Sequence, residues 1–281
     1  MTDALRDLVR DNYVFAERGD GIAAGFAADG LPSPTEQPAE FAVAATELLY
    51  DLSRDGHLRV RHRELGAMDG FDSAAYREFY AAEAVANAGG VQSVSRLDST
   101  TGLLVVAPYL SPMPMAQPYV DAAFALLRGV ERLVIDLRAG RGGTPETVAY
   151  VCGFLLGEDR VHLQDIVGRD GSAQQFWTMP HHDRLPDDVT VSVLTSGTTF
   201  SGCEELAYNL QSTQRATIFG ETTGGGAHPV EIFRLSEVLE VTVPVARSVN
   251  AVTGTNWEWS GVTPDVACAA DEAMAVSIRR S

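Results

Sequence analysis

The stretch 193–229, VLTSGTTFSGCEELAYNLQSTQRATIFGETTGGGAHP, sets Ser201 on a sharp turn between an apolar, branched run and a helix-like segment. A hydroxyl there is lifted to solvent, and the amides and positive end of the helix face the position where an oxyanion would form. The chemistry this suits is acyl transfer. The same residues, Ser201-Gly202-Cys203-Glu204, also fit the S-x-x-E capping box, in which the serine only satisfies a first-turn amide. Both readings stand on the local sequence. Cys203, two positions on, is either a redox or alternate nucleophilic thiol or a small apolar residue of the buried helix face.

Other residues invite chemistry in the same way. In LRAGRGG (137–143), Gly142 and Gly143 follow a strand and precede a helix, so one of them can donate an amide to an oxyanion; a plain glycine-bearing βα turn explains them equally. His57, in Asp55-Gly56-His57, stands where a helix gives way to the alternating Leu58, Val60, His62, as a polar loop residue or a base. His181-His182-Asp183 suggests metal binding, but adjacent histidines seldom face one point and no distant partner cluster appears, so no metal is expected. The run Gly224-Gly225-Gly226 is followed by no G-K-[ST] and by no strand–loop–helix context, so no nucleotide and no other cofactor is expected.

The elements that must position these residues follow from periodicity. Residues 1–67 read as a helical appendage, with an amphipathic N-terminal helix, a second over 21–28, a third over about 36–52, and the turn at His57 entering a strand. Residues 68–90 form a connector with a helix over 73–87. From 91 to 281 strands at 91–94, 103–106, 132–136 and 191–195 alternate with helices at 119–127, from 145 to about 156, and from 203, which implies an α/β domain with helices covering a sheet. A hairpin and loop with Trp177 are expected over 161–186, and an antiparallel pair over 231–235 and 239–245. A turn-rich loop over 254–265 carries Glu258, and a helix over 271–280 closes the chain.

Composition limits the partners. With 281 residues, 45% of them apolar, the chain can bury a full core. A net charge of -17 with no basic cluster argues against nucleic acid and anionic membranes. The first residues lack the apolar core of a signal peptide and no run is long enough to span a bilayer, so a cytoplasmic protein is expected. Three cysteines without metal-type spacing suit a reducing compartment.

Several separated stretches together resemble the S41 family of C-terminal processing serine peptidases: DGHL after a helical region, LVIDLRAGRGG, the serine-to-histidine stretch, and FRLSEVLEVTVPVARSVNAVTGTNWEWSGVTPDV. The nearest look is to the branch with interphotoreceptor retinoid-binding protein modules and the tricorn protease core. The resemblance implies a crotonase/ClpP-like core of ββα units with a small N-terminal helical domain. It puts Ser201 at the nucleophile. The lysine base of the processing peptidases corresponds to Gly226, which excludes a Ser-Lys dyad, while a tricorn-like arrangement implies His57 as base, Glu258 as its orienting carboxylate and the amides of Gly142 and Gly202 as the oxyanion site. Departures from the family pattern are Gly140 in place of an asparagine, Gly202 and Cys203 in place of Ala-Ala, Gly56 in place of a serine, and no PDZ domain between helical region and core.

Two functional expectations follow. One is a serine hydrolase of short peptides or a related acyl substrate; the other is a repurposed protein that binds or tailors an apolar small molecule in the same cleft, with Trp177, Trp257 and Trp259 at its rim. His228 is expected as a substrate-facing loop residue and not the base, since no carboxylate in its own stretch is placed to orient it.

Overall fold

A computed structural model describes residues 1–27, 29–71 and 74–280; Ala28 and Ser73, the expected ends of two helices, lie outside the described residues. In chain order the elements begin with α1 (Thr2–Asn12), α2 (Ala16–Gly25), α3 (Pro38–Ser53), β1 (Arg59–His62), α4 (Ala74–Ala86), β2 (Val91–Arg96) and β3 (Thr101–Val106). There follow α5 (Met113–Leu126), β4 (Arg132–Asp136), α6 (Pro145–Gly153), β5 (His162–Gly168), β6 (Ala173–Trp177) and β7 (Thr190–Thr195). The chain ends with α7 (Gly202–Ser212), β8 (Thr217–Gly220), β9 (Val230–Arg234), β10 (Leu239–Pro244), β11 (Ala246–Asn250), β12 (Val266–Ala267) and α8 (Ala273–Arg280). A third sheet has the order β11-β5-β6. None of the described helices is long and apolar enough to cross a membrane.

The chain forms two compact units, the first made of Met1–Phe79, Ile166–Gln174 and His228–Ser248. Its sheet has the order β1-β10-β9, antiparallel throughout. The alternation in β10 explains how it packs. Leu239, Val241 and Val243 point to one face and share a core with Leu5 and Val9 of α1, Phe41, Ala45 and Leu49 of α3, and Val60 of β1. The intervening Glu240 is fully buried on the other face, where its carboxylate takes the Arg63 guanidinium at 3.0 Å and the Met68 amide at 2.8 Å. A buried charge is tolerated only with such partners.

The second unit comprises Tyr80–Asp165, Gln175–Ala227 and Val249–Ser281, and is an α/β structure on a six-stranded sheet of order β12-β8-β7-β4-β3-β2. All neighbours are parallel except β2 and β3. Parallel strands are covered on both faces, which is why β4 and β7 read as continuous apolar runs. Leu133, Ile135, Val191 and Val193 face the larger core with residues of α5, α6 and α7, while Val134 and Leu194 face a smaller one with Phe219 and Ala273 of α8. Helix α5 starts six residues earlier than the sequence pattern suggested and runs through Pro118. Helix α7 is buried over most of its surface: Cys203, Leu206, Ala207 and Leu210 are fully buried, and so are Glu204 and Asn209, with Glu205 only 3% exposed. Its acids therefore serve the interior and not a solvated face.

Candidate active site

In the second unit β7 is a central strand, and its end delivers the chain into a tight turn at 196–200. The turn is locked to the segment after β4: Thr199 Oγ1 donates to the Leu137 carbonyl at 2.8 Å, and the Phe200 amide donates to the Gly140 carbonyl at 3.1 Å. Ser201 then opens α7 with φ 53° and ψ -127°. An ordinary N-cap residue is extended with negative φ, whereas this conformation is rare for a residue bearing a Cβ.

Glu204, one turn into α7, ties this strained residue to the glycine loop. Its carboxylate accepts the Ser201 amide at 2.8 Å, the Gly225 amide at 2.7 Å, the Gly226 amide at 2.9 Å and the Thr223 hydroxyl. Burial pushes its pKa up, opposed by these four donors. The capping-box signature foretold only the first of these bonds; the others come from a loop distant in sequence.

The sequence expected Gly142 and Gly202 to supply oxyanion donors. A Cβ built on Gly142 would lie 3.6 Å from Ser201 Cβ and 3.9 Å from its Oγ, so the glycine borders the serine side chain. A Cβ on Gly202 would lie 2.6 Å from the Gly143 nitrogen, so only glycine fits there. The Gly142 carbonyl is turned inward, accepting from the Leu110 amide at 3.0 Å and the Cys203 thiol at 3.2 Å. Among the described residues no acceptor takes the amides of Gly142, Gly143 or Gly202. Cys203 is a packing residue: burial pushes its thiol pKa up to about 12, far from a thiolate.

Glu258 is 6% exposed and its Oε2 accepts the Ala227 amide, the residue after the glycine loop. The three tryptophans differ. Trp257, expected at a rim, is 2% exposed in the core, its indole donating to the Gly226 carbonyl at 2.8 Å and its ring packed on Tyr208; it supports the glycine loop from behind. Trp259 is 48% exposed, at φ 61°, its amide donating to the Gly225 carbonyl at 3.0 Å. Trp177 stacks on His162 at 4.5 Å with the Arg160 guanidinium 5.6 Å from its ring. His181 is absorbed by packing, stacked on Phe154 at 3.8 Å with Nε2 on the Tyr150 carbonyl, while His182 is exposed.

In the first unit His57 follows α3 and precedes β1. It is half-buried, and desolvation pushes its pKa down to about 4; Asp55 opposes this, while His228, Arg59 and Arg61 add to it. The ring is therefore neutral at pH 7. His228 is 2% exposed, and its Nδ1 lies 2.7 Å from Asp55 Oδ2. The orienting carboxylate that its own stretch lacks is thus supplied by Asp55. Sequence reasoning passed over Asp55, although an Asp two residues before a turn residue is the Asx-turn signal. For Tyr13, which also bonds Asp55, the sequence holds no signal.

Comparison with known proteins finds one family by sequence and a shared fold among solved structures. The model of Peptidase family S41 matches residues 100–268. A curated relative, carboxyl-terminal-processing peptidase 2, chloroplastic, of Arabidopsis thaliana, is 30% identical over 165 residues, 53% of this chain and 29% of the relative. The chain thus spans less than a third of that relative's length. Among solved structures, the photosystem II D1 C-terminal processing protease aligns with TM-score 0.58 and 17% identity over 95% of this chain and 92% of that one. The tricorn protease aligns with TM-score 0.57 and 12% identity over 98% of this chain and 35% of that one.

Proposed function

The chain belongs to peptidase family S41, and on that premise we propose that it is a serine hydrolase of peptidase type acting on short peptides or a related acyl substrate. Ser201 Oγ attacks the acyl carbon as His57 takes its proton, and Glu258 orients the imidazole. The amides of Gly142 and Gly202 hold the oxyanion, His57 returns the proton to the leaving group, and water releases the acyl-enzyme by the same path. The base cannot be lysine, because all 21 basic residues of this sequence are arginine.

The observation that carries the reading is the backbone of Ser201 at φ 53° and ψ -127°. Such a conformation costs about 1–3 kcal/mol and clusters at active sites, where it aims a side chain; a serine that only caps a helix has no use for it. The donors bordering that serine, with no acceptor of their own, support the same reading.

A fluorophosphonate probe tests it. Labelling of Ser201 is expected in the native protein, lost in Ser201→Ala and slowed by several orders of magnitude in His57→Ala. An unlabelled native protein that binds or transforms an apolar small molecule equally well with and without the Ser201 hydroxyl would replace this reading with the binding or tailoring one.

A further inference from the structure

Asp55 is fully buried in the first unit, and three donors converge on its carboxylate, two of them from distant parts of the chain. Oδ2 is shared by His228 Nδ1 at 2.7 Å and the Tyr13 hydroxyl at 2.9 Å, while Oδ1 accepts the His57 amide at 2.9 Å. Tyr13 is fully buried, the His228 side chain is 1% exposed, and Phe15 closes on the imidazole edge-to-face at 5.6 Å. The turn beyond is pinned as well: Thr242 Oγ1 donates to the His57 carbonyl at 2.6 Å, and the Leu58 amide to the Asp55 carbonyl at 3.3 Å.

An Asx turn needs only one side-chain oxygen, and an asparagine would supply it without a buried charge. Burying a carboxylate and an imidazole under a turn costs several kcal/mol in desolvation unless the geometry is good. The pair is therefore more than a turn needs. We propose that Asp55 is a positioning residue for His57, and that His228 and Tyr13 anchor it so that the Asp55-Gly56-His57 turn holds the imidazole in one orientation. The inference rests on His57 being the base for Ser201. It also gives the unabsorbed His228 a role: it acts on the base through Asp55 and does not touch substrate.

The same pair acts on the charge of His57. Asp55 favours the His57 imidazolium, while burial, His228, Arg59 and Arg61 disfavour it. Gly56 has no side chain to restrain the turn, so loss of the carboxylate bond leaves the His57 amide without that acceptor and the turn held through its carbonyls, by Thr242, Leu58 and Arg59.

The test uses the full chain with 15N-labelled histidine and a fluorophosphonate probe. In NMR titrations the His57 ring should titrate at lower pH in Asp55→Asn and at higher pH in His228→Gln. In Tyr13→Phe, which keeps the pair, amide exchange of His57 should quicken, so the proposal remains testable if the other two variants fail to fold. The maximal labelling rate of Ser201 should fall about 10–100-fold in Asp55→Asn with the probe's half-saturation unchanged, since misplacing a catalytic group by about 1 Å costs on that order. Unchanged His57 titration and exchange in all variants would overturn the proposal even if Ser201 is labelled. Shifted titration with no labelling of the native protein would leave the positioning device standing and remove the relay reading.

Discussion

Gly140 and Cys203 occupy one shared volume: a Cβ on Gly140 would lie 2.6 Å from the Cys203 sulfur and 2.9 Å from its Cβ. The space that a side chain at position 140 would need is thus filled by Cys203, two positions after Ser201. Gly140→Ala should destabilise the protein by about 1–3 kcal/mol through overpacking, and the cost should shrink in Gly140→Ala with Cys203→Ala. Urea unfolding of the double-mutant cycle measures the coupling; additive effects would show that the two sites are independent.

The strain at Ser201 gives a second prediction. Glycine suits φ 53° and ψ -127° where alanine does not, so Ser201→Gly should be more stable than Ser201→Ala by about 1 kcal/mol, although both abolish labelling. Chemical denaturation decides; an alanine variant as stable as the glycine variant would mean that the backbone relaxes.

Glu205 gives the pH dependence of stability. Burial pushes its pKa from the ordinary 4.5 to about 8, with Gln164 opposing. Below about 4.5 the carboxyl is protonated in both states and has no effect on the balance. Between there and about 8 the unfolded chain releases a proton that the folded one keeps, so stability falls as pH rises through this window. Glu205→Gln should flatten that slope and raise the denaturation midpoint at pH 8 relative to the native protein, with little change at pH 4.

Glu204 is the opposite case, a buried carboxylate with four donors. Glu204→Ala should cost about 3–5 kcal/mol, because the Ser201, Gly225 and Gly226 amides and the Thr223 hydroxyl lose their acceptor inside the protein. Glu204→Gln keeps an oxygen and should cost markedly less. Thermal melts of the two variants check the order.

What the sequence determined by itself is local. A branched run, a small polar turn, an acid at the third position of α7 and a helical repeat are interactions within a few residues, so β7, the turn at Ser201 and α7 could all be read without a partner. Position 226 could be read too, since a glycine cannot be a base. Tertiary structure decided the rest. Asp55 meets His228 across 173 residues and Tyr13 across 42, and Glu204 meets Gly226 across 22. Periodicity tells which face of Leu239, Val241 and Val243 is buried, but the partner faces, α1 and α3, lie near the other end of the chain. The same limit governs Trp257: a tryptophan in a turn-rich loop reads as a rim residue, and only the closing of that loop over the glycine run turns its indole into the core, where a carbonyl waits for its N–H. Sequence spacing fixes which groups are neighbours along the chain, whereas the pairing of buried polar groups is set by which distant segments must share a low-dielectric interior.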